Sequence, residues 1–264
     1  MSNLLHELDD RGVLRLALNR LEVHNAFDDD LVGALTEALE RAEENRDVRI
    51  VVLTGEGPDF SAGADLNWMR GMVDASEQEN EQDALQLARL MRRLNYLDRP
   101  TVARVNGAAF GGGLGLVACC DIAIAADSAR FGLTEATLGL APAVISPYVL
   151  RCIGERQARR YFISGERFGA EQALAIGLLH GVVPADGLDE RVDEVIGRLL
   201  KAGPQAQRHG KRLAFTAAGH DRDRQRVLDQ HTAKLIAAIR VSDEGQEGLA
   251  AFLEKRSPGW LNKE

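Results

Sequence analysis

Apolar and polar residues alternate through Val13-Leu14-Arg15-Leu16-Ala17-Leu18, which predicts a strand with one buried face. Arg49-Ile50-Val51-Val52-Leu53-Thr54 is apolar through its centre and predicts a strand buried on both faces. Between them Leu31, Leu35, Ala38, Leu39 and Ala42 recur at helical spacing, and Asp28 stands ready to cap the first free N–H groups. The opening reads as β-β-α-β. A glycine-bearing loop follows, then a polar stretch near Asp74 to Asp83 expected to be mobile. A second helix then carries Ala84, Leu87, Ala88, Met91 and Leu94 on one stripe and stops before Pro100.

Thr101 to Val105 predicts another strand, which runs through Asn106-Gly107 into a glycine cluster and an apolar helix, Leu114 to Cys120, with a further strand at Asp121 to Ala125. Strands alternating with helices of this length predict an α/β fold with a mixed, largely parallel sheet. From Ala170 onward the pattern is almost wholly helical, with segments at Glu171 to Ile176, Leu188 to Leu200, Pro204 to Ala217, Arg224 to Ile239 and Glu244 to Arg256. Such a tail is expected to pack as a subdomain or against another subunit.

At 264 residues, 45% hydrophobic and 27% charged, the composition is that of a globular protein. The net charge of −8, with no basic run longer than a pair such as Arg92-Arg93, argues against nucleic acid as a partner. The longest nearly apolar stretch, Leu114 to Ala126, is interrupted by Asp121 and is shorter than the roughly 20 residues that span a bilayer, so no membrane role is expected. The acidic N-terminus lacks the pattern of a signal peptide, and three cysteines, two of them adjacent at Cys119-Cys120, fit a reducing cytoplasm better than a disulfide framework.

Two glycine-rich loops follow two strands: Ser61-Ala62-Gly63-Ala64-Asp65, and Gly107-Ala108-Ala109-Phe110-Gly111-Gly112-Gly113. Small residues let the backbone approach a ligand, and a helix beginning at such a loop aims unpaired N–H groups at it, so the pair is a candidate two-donor oxyanion hole. Gly113-Leu114-Gly115-Leu116-Val117-Ala118 fits the dinucleotide pattern G-x-G-x-x-A, but it is set inside an apolar helix rather than in the strand-to-helix turn, which counts against that reading. Metalloprotease, P-loop and nucleophile-elbow motifs are absent, and no metal site is expected. Glu135, flanked by apolar stretches in Phe131-Gly132-Leu133-Thr134-Glu135-Ala136, is the candidate general acid/base, because such surroundings raise a carboxylate's pKa toward neutrality.

Together Phe60 to Leu66, Val105 to Gly113, Cys120 to Ala125 and Phe131 to Glu135 resemble the enoyl-CoA hydratase/isomerase (crotonase) family, and the similarity runs from Val13 to Arg256. The resemblance implies a crotonase-like ββα spiral over residues 1–200 that binds acyl-CoA, and a helical C-terminal region, 201–264, that mediates homotrimers, commonly paired into hexamers. It implies that the N–H groups of Ala64 and Gly112 hold the thioester oxygen. CoA would enter only as part of the substrate, with no separate cofactor, along Val23, His24 and Ala26 and along Ala62, Ala64, Asp65 and Leu66. Lys255 or Arg256 would stand near its phosphates.

Short-chain hydratases of this family use two glutamates. This chain keeps the second, Glu135, but has Gly115 where the first would be. One glutamate at the second position is also the pattern of several Δ3,Δ2-enoyl-CoA isomerases. The stretches Ser61 to Met69 and Leu138 to Val149 are similar to the bacterial branch that hydrates 3-methylglutaconyl-CoA in leucine breakdown or isohexenylglutaconyl-CoA in acyclic terpene breakdown. That resemblance implies a lyase acting on a branched thioester with a second carboxylate. On this reading Gly115 makes room for the branch and removes like-charge repulsion. Trp68 and Tyr148 are expected to line the acyl pocket. The isomerase is the rival reading, and an RNA-binding role, known for a relative in the family, is disfavoured by the charge.

Overall fold

The computed structural model describes residues 2–261. Strand β1 (Leu4–Leu8) pairs antiparallel with β2 (Val13–Leu18), and helix α1 (Asp29–Glu44) leads into β3 (Ile50–Gly55). Next come α2 (Leu66–Asp74), α3 (Glu77–Asn95), β4 (Thr101–Val105), the short β5 (Ala109–Phe110) and α4 (Gly112–Cys119). They are followed by β6 (Ile122–Ala126), β7 (Arg130–Gly132), α5 (Ser146–Ser164), β8 (Arg167–Gly169), α6 (Ala170–Ala175) and β9 (Gly181–Val183). Helices α7 (Leu188–Lys201), α8 (Pro204–Ala217), α9 (Arg222–Arg240) and α10 (Asp243–Leu253) complete the described chain.

The main sheet has the order β1-β2-β3-β4-β6-β9, parallel from β2 onward, and β5-β7-β8 form a small second sheet. Successive strand residues point to opposite faces. Val51 and Leu53 of β3 thus join the large core shared with α1, α3, α4 and α5, while Ile50 and Val52 join a second core closed by Leu188, Val192 and Ile196 of α7. All six residues of β3 are buried, as its unbroken apolar run predicted. Asp28 caps α1, its side chain accepting from Leu31 N at 2.8 Å.

Three expectations change. The polar stretch at Asp74 to Asp83 is not a loop: α2 runs to Asp74 and α3 starts at Glu77 through a capping box between Ser76 and Glu79. Asn80 is 1% exposed there, its Nδ2 donating to the carbonyls of Met72, Ala75 and Ser76, so this polar segment is tied to its neighbours. The helical tail is interrupted by β9, which pairs with β6 at the edge of the main sheet. And α5, broken at Gly154 by non-helical backbone, occupies a stretch for which no helix was read.

The C-terminal helices are not set apart from the spiral. Helix α9 packs along α3, and α10 packs on α2 and on the 3₁₀ turn Thr134–Leu138, so the tail roofs the site within one chain. Helix α8, in contrast, has no buried residue, and Leu213 on it is 67% exposed.

Candidate active site

Because β3 and β4 are parallel neighbours, the loops leaving their C-terminal ends emerge at the same edge of the sheet, where ligand sites of α/β folds form. Backbone hydrogen bonds lock the two loops together: Phe60 N and Ser61 N donate to Ala108 O, and Phe110 N donates to Ser61 O. A third segment joins them, with Phe27 N donating to Gly63 O and Asp65 N to Phe27 O. In this weave neither Ala64 N nor Gly112 N donates to a protein acceptor among the described residues. Gly112 is the first residue of α4, so its N–H also carries the positive end of the helix dipole. Both residues line one cavity.

The turn into α4 needs Gly111, whose φ of +48° with ψ −119° is a backbone conformation that side chains disfavour. Strand β7 then sets Glu135. Gly111 N donates to Gly132 O at 3.0 Å, and the 3₁₀ turn Thr134–Leu138 carries the Glu135 carboxylate to the cavity wall beside Gly111. Its Oε2 is buried with no hydrogen-bond partner, and burial pushes its pKa up from 4.5 to about 7. The arrangement offers a carboxyl group able to exchange a proton near neutrality, on the same cavity as two N–H donors able to hold a developing oxyanion.

The sequence profile of the enoyl-CoA hydratase/isomerase family matches residues 9–263. The chain belongs to this family. It is 34% identical, over the whole of both chains, to the 2,3-dehydroadipyl-CoA hydratase of Escherichia coli. Among solved structures it is similar to an enoyl-CoA hydratase from Shewanella pealeana, at 46% identity and TM-score 0.79, covering 98% of this chain and 96% of that one. It is also similar to an enoyl-CoA hydratase from Mycobacterium avium, at 35% identity and TM-score 0.87, covering 98% and 99%. The crotonase fold implied by the resemblance is thus the fold of the family to which the chain belongs.

The structure brings Glu135, Ala64, Gly112, Ala62 and Trp68 to one cavity and places other sequence-predicted residues elsewhere. Gly115 faces protein rather than the cavity: a β-carbon there would lie 2.3 Å from Ile145 Cγ2 and 2.9 Å from Ile145 Cβ. The space expected to receive a substrate branch is filled by Ile145, which itself lines the cavity. Tyr148 is 1% exposed in the core and does not line the acyl cavity. Asp65, 4% exposed, is turned to structural work: it caps α2 through Asn67 N and Trp68 N and pairs with Arg20 at 3.1 Å.

Val23, His24, Ala26 and Leu66 lie outside the cavity lining. The stretches they belong to do adjoin, since Ala62 N donates to His24 O at 2.9 Å. His24 is exposed, and its Nδ1 meets Asp59 Oδ2 at 2.7 Å. Lys255 is exposed just beyond α10, while Arg256 is bound by Glu247 and Glu254. No helix among the described residues is long and apolar enough to cross a membrane.

Sequence reasoning missed Arg240, which lines the cavity from α9. It ends a helix of mixed charge, and nothing local marks it as different from the arginines around it.

Proposed function

We propose that the chain is a hydratase adding water across C2=C3 of a branched enoyl-CoA thioester with a second carboxylate, either 3-methylglutaconyl-CoA of leucine catabolism or isohexenylglutaconyl-CoA of acyclic terpene catabolism. The supporting observation is the Glu135 carboxylate, whose Oε2 is buried and unpartnered, on the same cavity as the uncommitted N–H groups of Ala64 and Gly112. Ionised Glu135 takes a proton from water as the hydroxide oxygen bonds to C3. The C2=C3 electrons move to give a C1 enolate, whose oxygen is held by Ala64 N and Gly112 N. Glu135 then returns the proton to C2, so one water is consumed and the carboxylate is restored. Donors aimed at charge that develops only in the enolate stabilise the transition state more than the substrate, and one such donor is worth on the order of 10²–10³ in rate.

The branched, dicarboxylic substrate class draws support from the stretches 61–69 and 138–149, and from a relative named for 2,3-dehydroadipyl-CoA, an acyl group that also ends in a carboxylate. CoA enters as part of the substrate, and no separate cofactor takes part. Assembly into trimers or hexamers in the cytoplasm belongs to the same proposal, and the outer face of α8, on which Leu213 is exposed while Gln207, Lys211 and Phe215 turn toward the chain, leaves a surface for it. Light scattering tests the assembly.

One observation favours the isomerase as the second reading. Glu135 is the one carboxylate lining the cavity among the described residues, and moving a proton between C2 and C4 needs a single base. Mass spectrometry of products from 3-methylglutaconyl-CoA, isohexenylglutaconyl-CoA and a 3-enoyl-CoA separates the two. Gain of one water on a glutaconyl substrate is expected. Double-bond migration in the 3-enoyl thioester, with no water gained on the others, would make the protein an isomerase.

A further inference from the structure

The cavity has two charged residues among those lining it, Glu135 and Arg240. Glu135 is accounted for by proton transfer. Arg240 has no part in that step and yet holds a cation, 8% exposed, against an otherwise largely apolar wall made with Ile236, Leu249, Phe252, Trp68 and Met72. A buried guanidinium needs partners. Its Nη1 has them, donating to Asp83 Oδ2 at 2.9 Å and to Asn80 Oδ1 at 3.3 Å. Asp83 is in turn fixed from the other side by Trp68 Nε1 at 3.0 Å. The Nε and Nη2 groups donate to no protein acceptor among the described residues, and neither is counted among the fully buried unpartnered atoms. Asp83 and Asn80 anchor Nη1 of the guanidinium, and the Nε and Nη2 donors of this cavity-lining residue are left without a protein partner among the described residues.

We propose that Arg240 receives a carboxylate at the far end of the substrate's acyl chain, making it a specificity-determining residue. A planar guanidinium presents parallel N–H groups that match a carboxylate, and hydrogen bonds between charged partners are the strong ones. The Trp68–Asp83–Arg240 chain supplies preorganisation. The cation is held in place before substrate arrives, so little side-chain entropy is lost on binding. Within an apolar acyl cavity, a methyl-terminated chain leaves these donors unpaired, which is the asymmetry that lets a polar site reject an apolar analogue.

The inference rests on the acyl-CoA reading above, and its test separates the two. Glutaryl-CoA and pentanoyl-CoA have acyl chains of equal length, differ in their terminal carboxylate or methyl, and cannot be hydrated. Their dissociation constants are measured by titration calorimetry on the wild-type chain, on Arg240→Met, and on Asp83→Asn/Arg240→Met, which leaves no orphan carboxylate. The wild type is expected to bind glutaryl-CoA about 10–100-fold more tightly, and both variants to lose that preference while pentanoyl-CoA changes by less than about 3-fold. Should the single variant fail to fold, the double variant decides. Equal weakening of both ligands would mean that Arg240 serves the CoA phosphates or only the packing of α9 on α3, and would overturn the proposal. Wild-type binding of both ligands without preference overturns it too, leaving the acyl-CoA reading intact, whereas binding of neither ligand removes both.

Discussion

The carboxylate of Glu135 rests against the α-carbon of Gly111: a β-carbon at Gly111 would stand 3.2 Å from Glu135 Oε1. The residue that turns the backbone into α4, aiming Gly112 N at the cavity, is therefore also the floor under the proton-transfer group. Gly111→Ala meets two penalties at once, a φ of +48° and the crowded carboxylate. We expect it to cost about 1–3 kcal/mol of stability in denaturant titrations. Turnover should fall by about 10²-fold through misplacement of Glu135 and of the adjoining donor. Near-normal kcat would show that the two sites are not mechanically joined.

Glu135 ties pH to stability as well as to rate. Between its ordinary value of 4.5 and its folded value of about 7, the folded protein keeps a proton that the unfolded chain has lost. Stability therefore falls as pH rises through that window, and above it the ionised buried carboxylate costs about 3 kcal/mol. Glu135→Gln carries no such cost. It should match the wild type near pH 4.5 and exceed it by up to about 3 kcal/mol near pH 8, while losing about 10²–10⁴-fold in kcat. Wild-type kcat should decline as pH drops below about 7, where the base is protonated. A stability difference that does not vary with pH would deny the raised pKa.

What the chain disclosed in advance follows the physics of each signal. The run 49–54 and the stripe from Leu31 to Ala42 are long and periodic, and β3 and α1 lie within a residue or two of where that periodicity puts them. Strands β5, β7 and β8 have two or three residues each, too few for alternation to register, although β5 and β7 carry the backbone that positions Gly111 and Glu135. Polarity misled at 74–83, where the exposed Ser76 and Glu79 cap α3 and the buried Asn80 is polar because it bonds the backbone at a tight corner, not because water surrounds it. The two glycine loops and Glu135 were readable from local chemistry, whereas Ala64 and Gly112 as the individual donors came from the family resemblance. Arg240 was readable from neither, since its placement depends on α9 folding back over the cavity.

Gly115 decides how the missing glutamate is to be understood. In an open helix interior, Gly→Ala stabilises by about 1 kcal/mol. Here the added carbon would strike Ile145 Cγ2 and Cβ, of which Cβ is fixed by the backbone and Cγ2 moves only if the branched side chain changes rotamer in a packed core, and Met91 Cε lies 3.2 Å away. We expect Gly115→Ala to destabilise by about 1–3 kcal/mol, with partial relief when Ile145→Ala is added in a double-mutant cycle. Gly115→Glu should fail to supply a second working carboxylate unless Ile145 is reduced at the same time. Stabilisation by Gly115→Ala would mean that the helix is not packed on Ile145 as the structure has it.

Asn80 tests whether the α2–α3 corner is ordered. Its Nδ2 lies 3.2 Å from three backbone carbonyls at the end of α2 and the start of α3, and its Oδ1 accepts from Arg240 Nη1. Removing a buried amide leaves those partners without a donor inside the protein, so Asn80→Ala should cost about 1–3 kcal/mol. It should also open the chain near Ala75 to limited proteolysis, because the corner that Asn80 ties down would then be free to unfold locally. The exposed neighbour Gln82→Ala, changed as a control, should stay within about 0.5 kcal/mol if surface polarity is all it supplies. An Asn80→Ala protein as stable and protease-resistant as the wild type would restore the mobile segment suggested by composition, and would remove one of the two anchors that hold Arg240 at the cavity.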